Sequence, residues 1–211
     1  MIIPGAVFAL RANAARWDER TSAAVATAAE ARVEARARDA ITRAWRDRAI
    51  ERQHARRSAG FASQFRISFD LAHQIHLAAL DERIAPKLAF NLVRAESSFR
   101  SSAVSPVGAL GLTQLMPSTA RWLEPGMTRR EMLEPRTNLR VGFRYLRQLI
   151  ETYDGNQRLA LTAYNRGPGT VDRLLRHGRD PGNGYAELVL TGRSDRHTAL
   201  MRRKFGRRKA S

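Results

Sequence analysis

Cysteine is absent from the 211 residues, which excludes disulfides and thiolate metal sites and leaves the compartment open, since an envelope protein can simply avoid thiols. Glycine and proline are missing from Arg16 to Ser58, and no alternating strand pattern occurs anywhere, so the chain predicts an all-α fold. Aromatic residues make up only 7% and no base-reading motif accompanies them, so a nucleic-acid binder rests on charge alone and is disfavoured. Lysine is scarce as well. The formal net charge is +17 with a pI near 11.6, and nearly all the cations are arginine, a balance that favours anionic partners. The apolar run Ile2 to Leu10 is too short to span a bilayer and lacks the basic residues that precede a secretory apolar segment. Ala12-Asn13-Ala14 nevertheless has the small-x-small form of a cleavage site. A trimmed signal over residues 1–15 and an ordinary N-terminal segment both remain open.

What is present divides the chain in three. Residues 1–60 form an N-terminal segment and a charged helical extension in which Val25, Ala29, Val33, Ala37, Ile41 and Trp45 sit four apart as a narrow, weakly apolar stripe. Such small side chains bury little, which leaves three behaviours for the extension: pairing with a protein partner, packing on the next domain through Trp17 and Trp45, or staying mobile. Residues 61–192 have the length and patterning of a globular domain. Residues 193–211 carry 8 basic side chains against one acid, Asp195, and read as a disordered tail, either an anchor to an anionic cell-envelope surface or a solvated terminus. His54, His73 and His76 lie in helical surroundings without acidic or thiol ligands nearby, so they do not imply a metal site.

The middle domain predicts a helix within Phe61–Pro86 ending in a short turn, Asp81 to Ala85, and short helical pieces between Trp122 and Arg136. Asn138 reads as the N-cap of an amphipathic helix carrying Leu139, Phe143, Leu146, Leu149 and Ile150. Asp154-Gly155-Asn156 is a turn, and two further helices, Leu159 to Tyr164 and Val171 to Arg176, flank the AYNRGPG corner.

The stretch Pro86 to Thr119 organises this domain. Pro86 suits a first helical turn, and Leu88, Ala89, Leu92 and Val93 recur at steps of three and four. Glu96 falls on the same face, so its carboxyl points where the leucines point. The Ser-Ser pair that follows ends the helix there, and apolar surroundings and the negative end of the helix dipole both disfavour the charged carboxylate. A protonated acid can hand its proton to a leaving oxygen, as glycosidic cleavage requires, while a structural glutamate paired with arginine or backbone donors is the plainer reading. Beyond it, Ser105 to Pro117 interleaves polar and apolar residues around two glycines, which suits a backbone bent closely around a ligand.

Together these blocks resemble the soluble lytic transglycosylase (SLT) family of lysozyme-like enzymes that cut peptidoglycan. The resemblance lies in Glu96-Ser97 with Phe99, in Ser105 and the GALGLTQLMPSTA block from Gly108 to Ala120, in Gly142, Tyr145 and Leu146, and in Ala163 to Gly169. Two places depart from it. Thr113 stands where the family usually has Met, a position expected at the groove wall, and after Pro181 only Tyr185 corresponds to the family's last aromatic, a difference expected to concern packing more than chemistry.

The resemblance implies a lysozyme-like catalytic domain over residues 61–192, a periplasmic or cell-envelope location, and peptidoglycan glycan strands as the partner. It implies Glu96 as the single catalytic acid and then base, cleaving the MurNAc-GlcNAc bond with closure of a 1,6-anhydro ring. Ser105, Gln114, Met116, Tyr164 and Asn165 would line the groove and bind the sugar. No metal or cofactor is implied. The residues themselves agree with one acid, since no Asp or Glu occurs from Ser97 to Leu123. Two rivals stay open: a muramidase that brings in Glu124, Glu131 or Glu134 as a second carboxylate, and a non-catalytic peptidoglycan-binding protein.

Overall fold

The structure, a computed structural model, describes residues 4–192; the expected basic tail and Met1 to Ile3 lie outside them. Packing divides the chain into two compact units, one up to Gln53 and the other from His54. Helix α1, Pro4–Phe65, supplies the first unit, and its residues from His54 onward belong to the second. With no glycine or proline between Gly5 and Gly60, nothing in this Ala-rich stretch interrupts the backbone ladder. Trp17, Val25, Val33, Ile41 and Trp45 are all more than half exposed.

The regular elements of the second unit are all helices, with two isolated bridges, Val104 to Leu110 and Leu110 to Leu115, in place of strands among the described residues. Where one helix was expected from Phe61, the chain makes a turn. α1 ends in a Schellman motif, Arg66 N–H to Ser63 O at 3.3 Å and Ile67 N–H to Ala62 O at 3.1 Å, with Arg66 at φ 54° in the place glycine usually takes. α2, Phe69–Asp81, then starts on Ser68, whose hydroxyl accepts from Leu71 N–H. A left-handed arginine carries no sequence signal, which is why the pattern ran through it.

α3, Pro86–Ser97, is the central element, with every residue from Leu88 to Ser97 buried except Arg94. Phe90 stacks on Phe61 at 4.2 Å, while Ile75, Leu92, Leu139, Phe143 and Leu146 complete the main core. Short helices α4, Pro117–Leu123, and α5, Arg129–Leu133, enclose a second cluster around Leu110, Leu115 and Met132.

α6, Pro135–Thr152, buries Leu139, Phe143, Leu146 and Leu149, worth about 10 kcal/mol in transfer terms. Its cap is Glu134, not Asn138: the Glu134 carboxylate accepts from Arg136 N–H at 3.1 Å and Thr137 N–H at 2.6 Å. Asn138 sits inside the helix, fully buried, because its amide is needed elsewhere. α7, Gln157–Arg166, starts on Asn156; α8, Pro168–Arg176, follows after Gly167; α9, Tyr185–Thr191, was not anticipated and lies against α3 and α7.

Candidate active site

Glu96 sits in the last turn of α3 and is 3% exposed. The helix stops because Ser98 turns left-handed, φ 51°, and donates its N–H to Arg94 O at 3.0 Å; Phe99 follows at φ 63°. Two successive non-glycine residues in that region cost about 1 kcal/mol or more each. Phe99 is held there by packing edge-on to Phe65 at 5.4 Å.

Tyr185, the first residue of α9 and equally buried, donates its phenolic O–H to Glu96 Oε1. Burial, then the charge of Glu96 and the bond to it, push this phenol well above the ordinary tyrosine value, so it stays a donor at any working pH. The difference after Pro181 therefore bears on the partner of Glu96 and not only on packing. Nothing in the local sequence marks Tyr185 as polar machinery, since its partner lies 89 residues away.

A pocket of about 280 Å³ is lined by Gln114, Met116, Tyr145, Tyr164, Asn165 and Arg166, among others; Glu96 does not line it and is linked to it through Tyr164, whose phenol feels the Glu96 charge. Four of the five expected binding residues thus meet in one place. Gln114, 6% exposed and at φ 50°, gives its Nε2 to Ala103 O at 3.2 Å and Gly111 O at 3.0 Å. Two carbonyl partners fix which end of the amide is nitrogen. Oε1 is left buried without a partner in a residue that lines the pocket, an acceptor suited to an N–H or O–H of a ligand. Asn165 Oδ1 accepts from Asn183 at 2.8 Å, which commits its acceptor and leaves its NH₂ to donate. Tyr164 donates to Thr113 O at 3.0 Å and lies against Tyr145 at 5.3 Å; burial and then the charge of Glu96 push its phenol up as well. Met116, 38% exposed, immediately precedes α4 and lines the pocket.

Ser105 is not among the residues lining this pocket. Its hydroxyl accepts from Ala109 N–H at 2.9 Å and shapes its own turn, keeping its proton to give.

Thr113 is not at the groove wall either; it is fully buried. Its N–H and hydroxyl donate to Asn138 Oδ1 at 2.8 and 2.9 Å, while Asn138 Nδ2 donates to Leu110 O at 2.9 Å and Met132 O at 2.7 Å. One amide with every valence filled thereby pins the loop that presents Gln114. The approach is close enough to require glycine on both sides: a Cβ on Gly111 would come 2.5 Å from Asn138 Nδ2, and one on Gly142 would come 2.3 Å from Thr113 Oγ1.

The three carboxylates of the muramidase alternative, Glu124, Glu131 and Glu134, have structural work. Glu124 pairs with Arg140 and Arg144, and its hydrogen bond from Arg140 leads the causes that hold it below the usual carboxylate range. Glu131 closes a capping box with Thr128, and Glu134 caps α6. Among the described residues no three His, Asp or Glu side chains converge as a metal site. His54 and His76 meet at 3.2 Å and Ser58 meets His73 at 3.1 Å, a hydrogen-bonded cluster between α1 and α2.

Residues 74–183 match the profile of the transglycosylase SLT domain. The chain is 37% identical over 102 residues to the soluble lytic murein transglycosylase of Salmonella typhimurium, a match covering 44% of this chain and 15% of that protein. It is 38% identical over 93 residues to the transglycosylase of Enterobacteria phage PRD1, covering 44% of this chain and 33% of that one. Among solved structures it resembles an inactive Glu→Gln variant of the lytic transglycosylase Slt from Pseudomonas aeruginosa, with TM-score 0.51 and 30% identity over 62% of this chain and 24% of that one. It also resembles a 70-kDa soluble lytic transglycosylase in complex with bulgecin A, with TM-score 0.54 and 27% identity over 68% and 25% of the two chains. The chain therefore spans a fraction of the length of these relatives. Its helices form the all-α, lysozyme-like fold of that group, and with more than half of its residues matching the domain profile, the chain belongs to the transglycosylase SLT family.

Proposed function

We propose that the domain over residues 61–192 is a peptidoglycan lytic transglycosylase that cleaves the β-1,4 bond between MurNAc and GlcNAc. The observation that carries this reading is the buried Glu96, with Oε1 held by Tyr185, in the neighbourhood of a pocket lined by Gln114, Tyr164 and Asn165. Glu96 protonates the glycosidic oxygen and then takes the proton of the sugar's own 6-hydroxyl, which closes the 1,6-anhydro ring. An internal hydroxyl has a high effective concentration, so one acid serves both steps. With Oε1 held by the phenol, the carboxyl group cannot rotate freely and its proton travels along a fixed direction. Gln114 Oε1 accepts from the sugar's acetamido N–H or a hydroxyl, Asn165 donates, Met116 and the Tyr164 ring supply apolar contact, and Ser105 acts from the turn behind. The relatives named as murein transglycosylases support the substrate class, and the inactive Glu→Gln variant of the Pseudomonas enzyme supports dependence on one glutamate.

The muramidase reading loses ground because Glu124, Glu131 and Glu134 are each committed to an ion pair or a helix cap. Mass spectrometry of digested sacculi separates the two: anhydro-muropeptides are expected, and reducing ends in their place overturn the proposal. Such a substrate places the protein in the periplasm or cell envelope. The basic residues 193–211 then hold it to an anionic envelope surface, so their deletion weakens binding to whole sacculi in a salt-dependent way and spares cleavage of short soluble strands. Equal loss on both substrates would refute the anchor.

A further inference from the structure

The helix that carries Tyr185 buries Tyr185, Ala186, Leu188 and Val189 in the main core, but it is short and has no side-chain cap of its own to fix its register. α9 is seven residues long, its N-cap Gly184 offers no side-chain bond, and the chain from Gly178 to Asn183 before it is irregular. Helices this short do not persist on their own in water, so the position of the phenol depends on what grips α9.

Two grips come from α3, the helix that also bears Glu96. Asn91 Nδ2 donates to Val189 O at 2.9 Å, and the Arg94 guanidinium donates to Gly192 O, each across 98 residues of sequence. Both acceptors lie among the end carbonyls that a helix leaves without internal partners, at the negative end of its dipole, where a guanidinium is favoured. The grips are themselves fixed: Asn91 is 4% exposed, and Arg94 lies 5.4 Å over the Phe65 ring. Gly192 fits them closely. It has φ +63°, and a Cβ there would come 2.8 Å from Asn91 Oδ1 and 3.0 Å from an Arg94 nitrogen.

We propose that Asn91 and Arg94 are positioning residues: by tying the carbonyl end of α9 to α3, they set the Tyr185 phenol on the Glu96 carboxyl and so govern turnover rather than substrate affinity. This rests on the reading of Glu96 as the acid and base. Grips and acid lie within six residues of one rigid helix, so the frame that holds α9 is the frame that holds Glu96. The tie is independent of the pocket, because neither Asn91 nor Arg94 lines it.

The test uses the full chain. Arg94→Met keeps an apolar stem on Phe65 and removes the donors, Arg94→Lys restores one, and Gly192→Ala forces the grip apart from the other side. On soluble glycan strands Arg94→Met and Gly192→Ala are expected to lose about tenfold in kcat with KM nearly unchanged, and Arg94→Lys to recover part of the loss. Because Arg94 acts through Tyr185, adding Arg94→Met to Tyr185→Phe costs nothing further. A readout separate from turnover is the NMR signal of the Tyr185 phenolic proton, expected to exchange slowly in the parent and to be lost in Arg94→Met. Losses that multiply in the double variant, or a phenolic signal that persists unchanged, overturn the proposal. Should Arg94→Met not fold, Gly192→Ala carries the same comparison. A parent that makes no anhydro product overturns the assigned function instead, and the phenolic signal then still decides whether the grip sets the phenol.

Discussion

Tyr185 and Glu96 meet across 89 residues of sequence, phenol to carboxyl, with each side chain 3% exposed. Neither could be so deeply buried alone without cost, since an unpaired phenol or carboxyl taken from water loses its hydrogen bonds. Paired, they make a carboxyl with one oxygen committed and its orientation set, at the end of a helix whose own termination is strained at Ser98 and Phe99.

Glu96→Gln should keep the fold, because the amide oxygen still accepts from Tyr185, yet lose turnover on the order of a thousandfold. Tyr185→Phe should lose about ten- to a hundredfold, the cost of a badly oriented acid. Digestion of purified sacculi with circular dichroism on the same samples checks both. A Glu96→Gln protein that keeps a tenth of the activity removes Glu96 from the mechanism.

Asn138→Ala should destabilise the second unit by about 3 kcal/mol or more. It strands the N–H of Thr113 and the carbonyl of Met132, and leaves the Thr113 hydroxyl and the Leu110 carbonyl with one partner each, all around a fully buried side chain. Thermal melting is expected to fall by roughly 10 °C. A shift of only a degree or two would mean that water fills the site and that the hub is dispensable.

Glu124→Gln should keep activity within about twofold, because this carboxylate is tied to Arg140 and Arg144. Its folded pKa is depressed, so its contribution to stability is present above the unfolded value of about 4.3 and fades as pH falls through the folded one. The variant should therefore melt below the parent at pH 7, with the gap closing below about pH 4. A gap that is the same at both pH values contradicts the ion pair.

His76 is lowered by burial first, then by the charges of His54, Arg57 and His73. A folded pKa below the unfolded value of about 6.5 stabilises the fold above that value, and the contribution is lost as pH drops towards the folded one. The parent should lose stability between about pH 7.5 and pH 5, and His76→Gln should lose less over the same interval. Melting curves of the two proteins at both pH values decide it; parallel losses exclude His76 as the source.

The helical class and the amphipathic face of α6 were legible in the sequence because they are local, whereas Gln114, Met116, Tyr164 and Asn165 were named through the family resemblance. A period of 3.6, a proline at a first turn and a glycine-flanked loop each act over a few neighbours. The placement of Glu96 was legible for a weaker reason than the stripe suggested. α3 is buried on nearly every side, so the face shared with Leu88 and Leu92 did not single out its environment.

What only the tertiary structure decided depends on contacts between distant parts of the chain. Asn138 looks like a cap in sequence, but its amide is consumed by Leu110, Thr113 and Met132, and Glu134 takes the capping role instead. Arg66 breaks a helix without glycine because Ile67 and Ser68 satisfy the ends on either side. Ser105 faces its own turn, Thr113 is buried against Gly142, and Tyr185 reaches Glu96 from a helix that packs on α3 and α7 and whose last carbonyls bond to Asn91 and Arg94. Propensity and periodicity describe what a segment can do with its own neighbours; which buried polar group finds which partner is settled by closure of the whole chain, since each such group must be satisfied somewhere and the sequence does not say where.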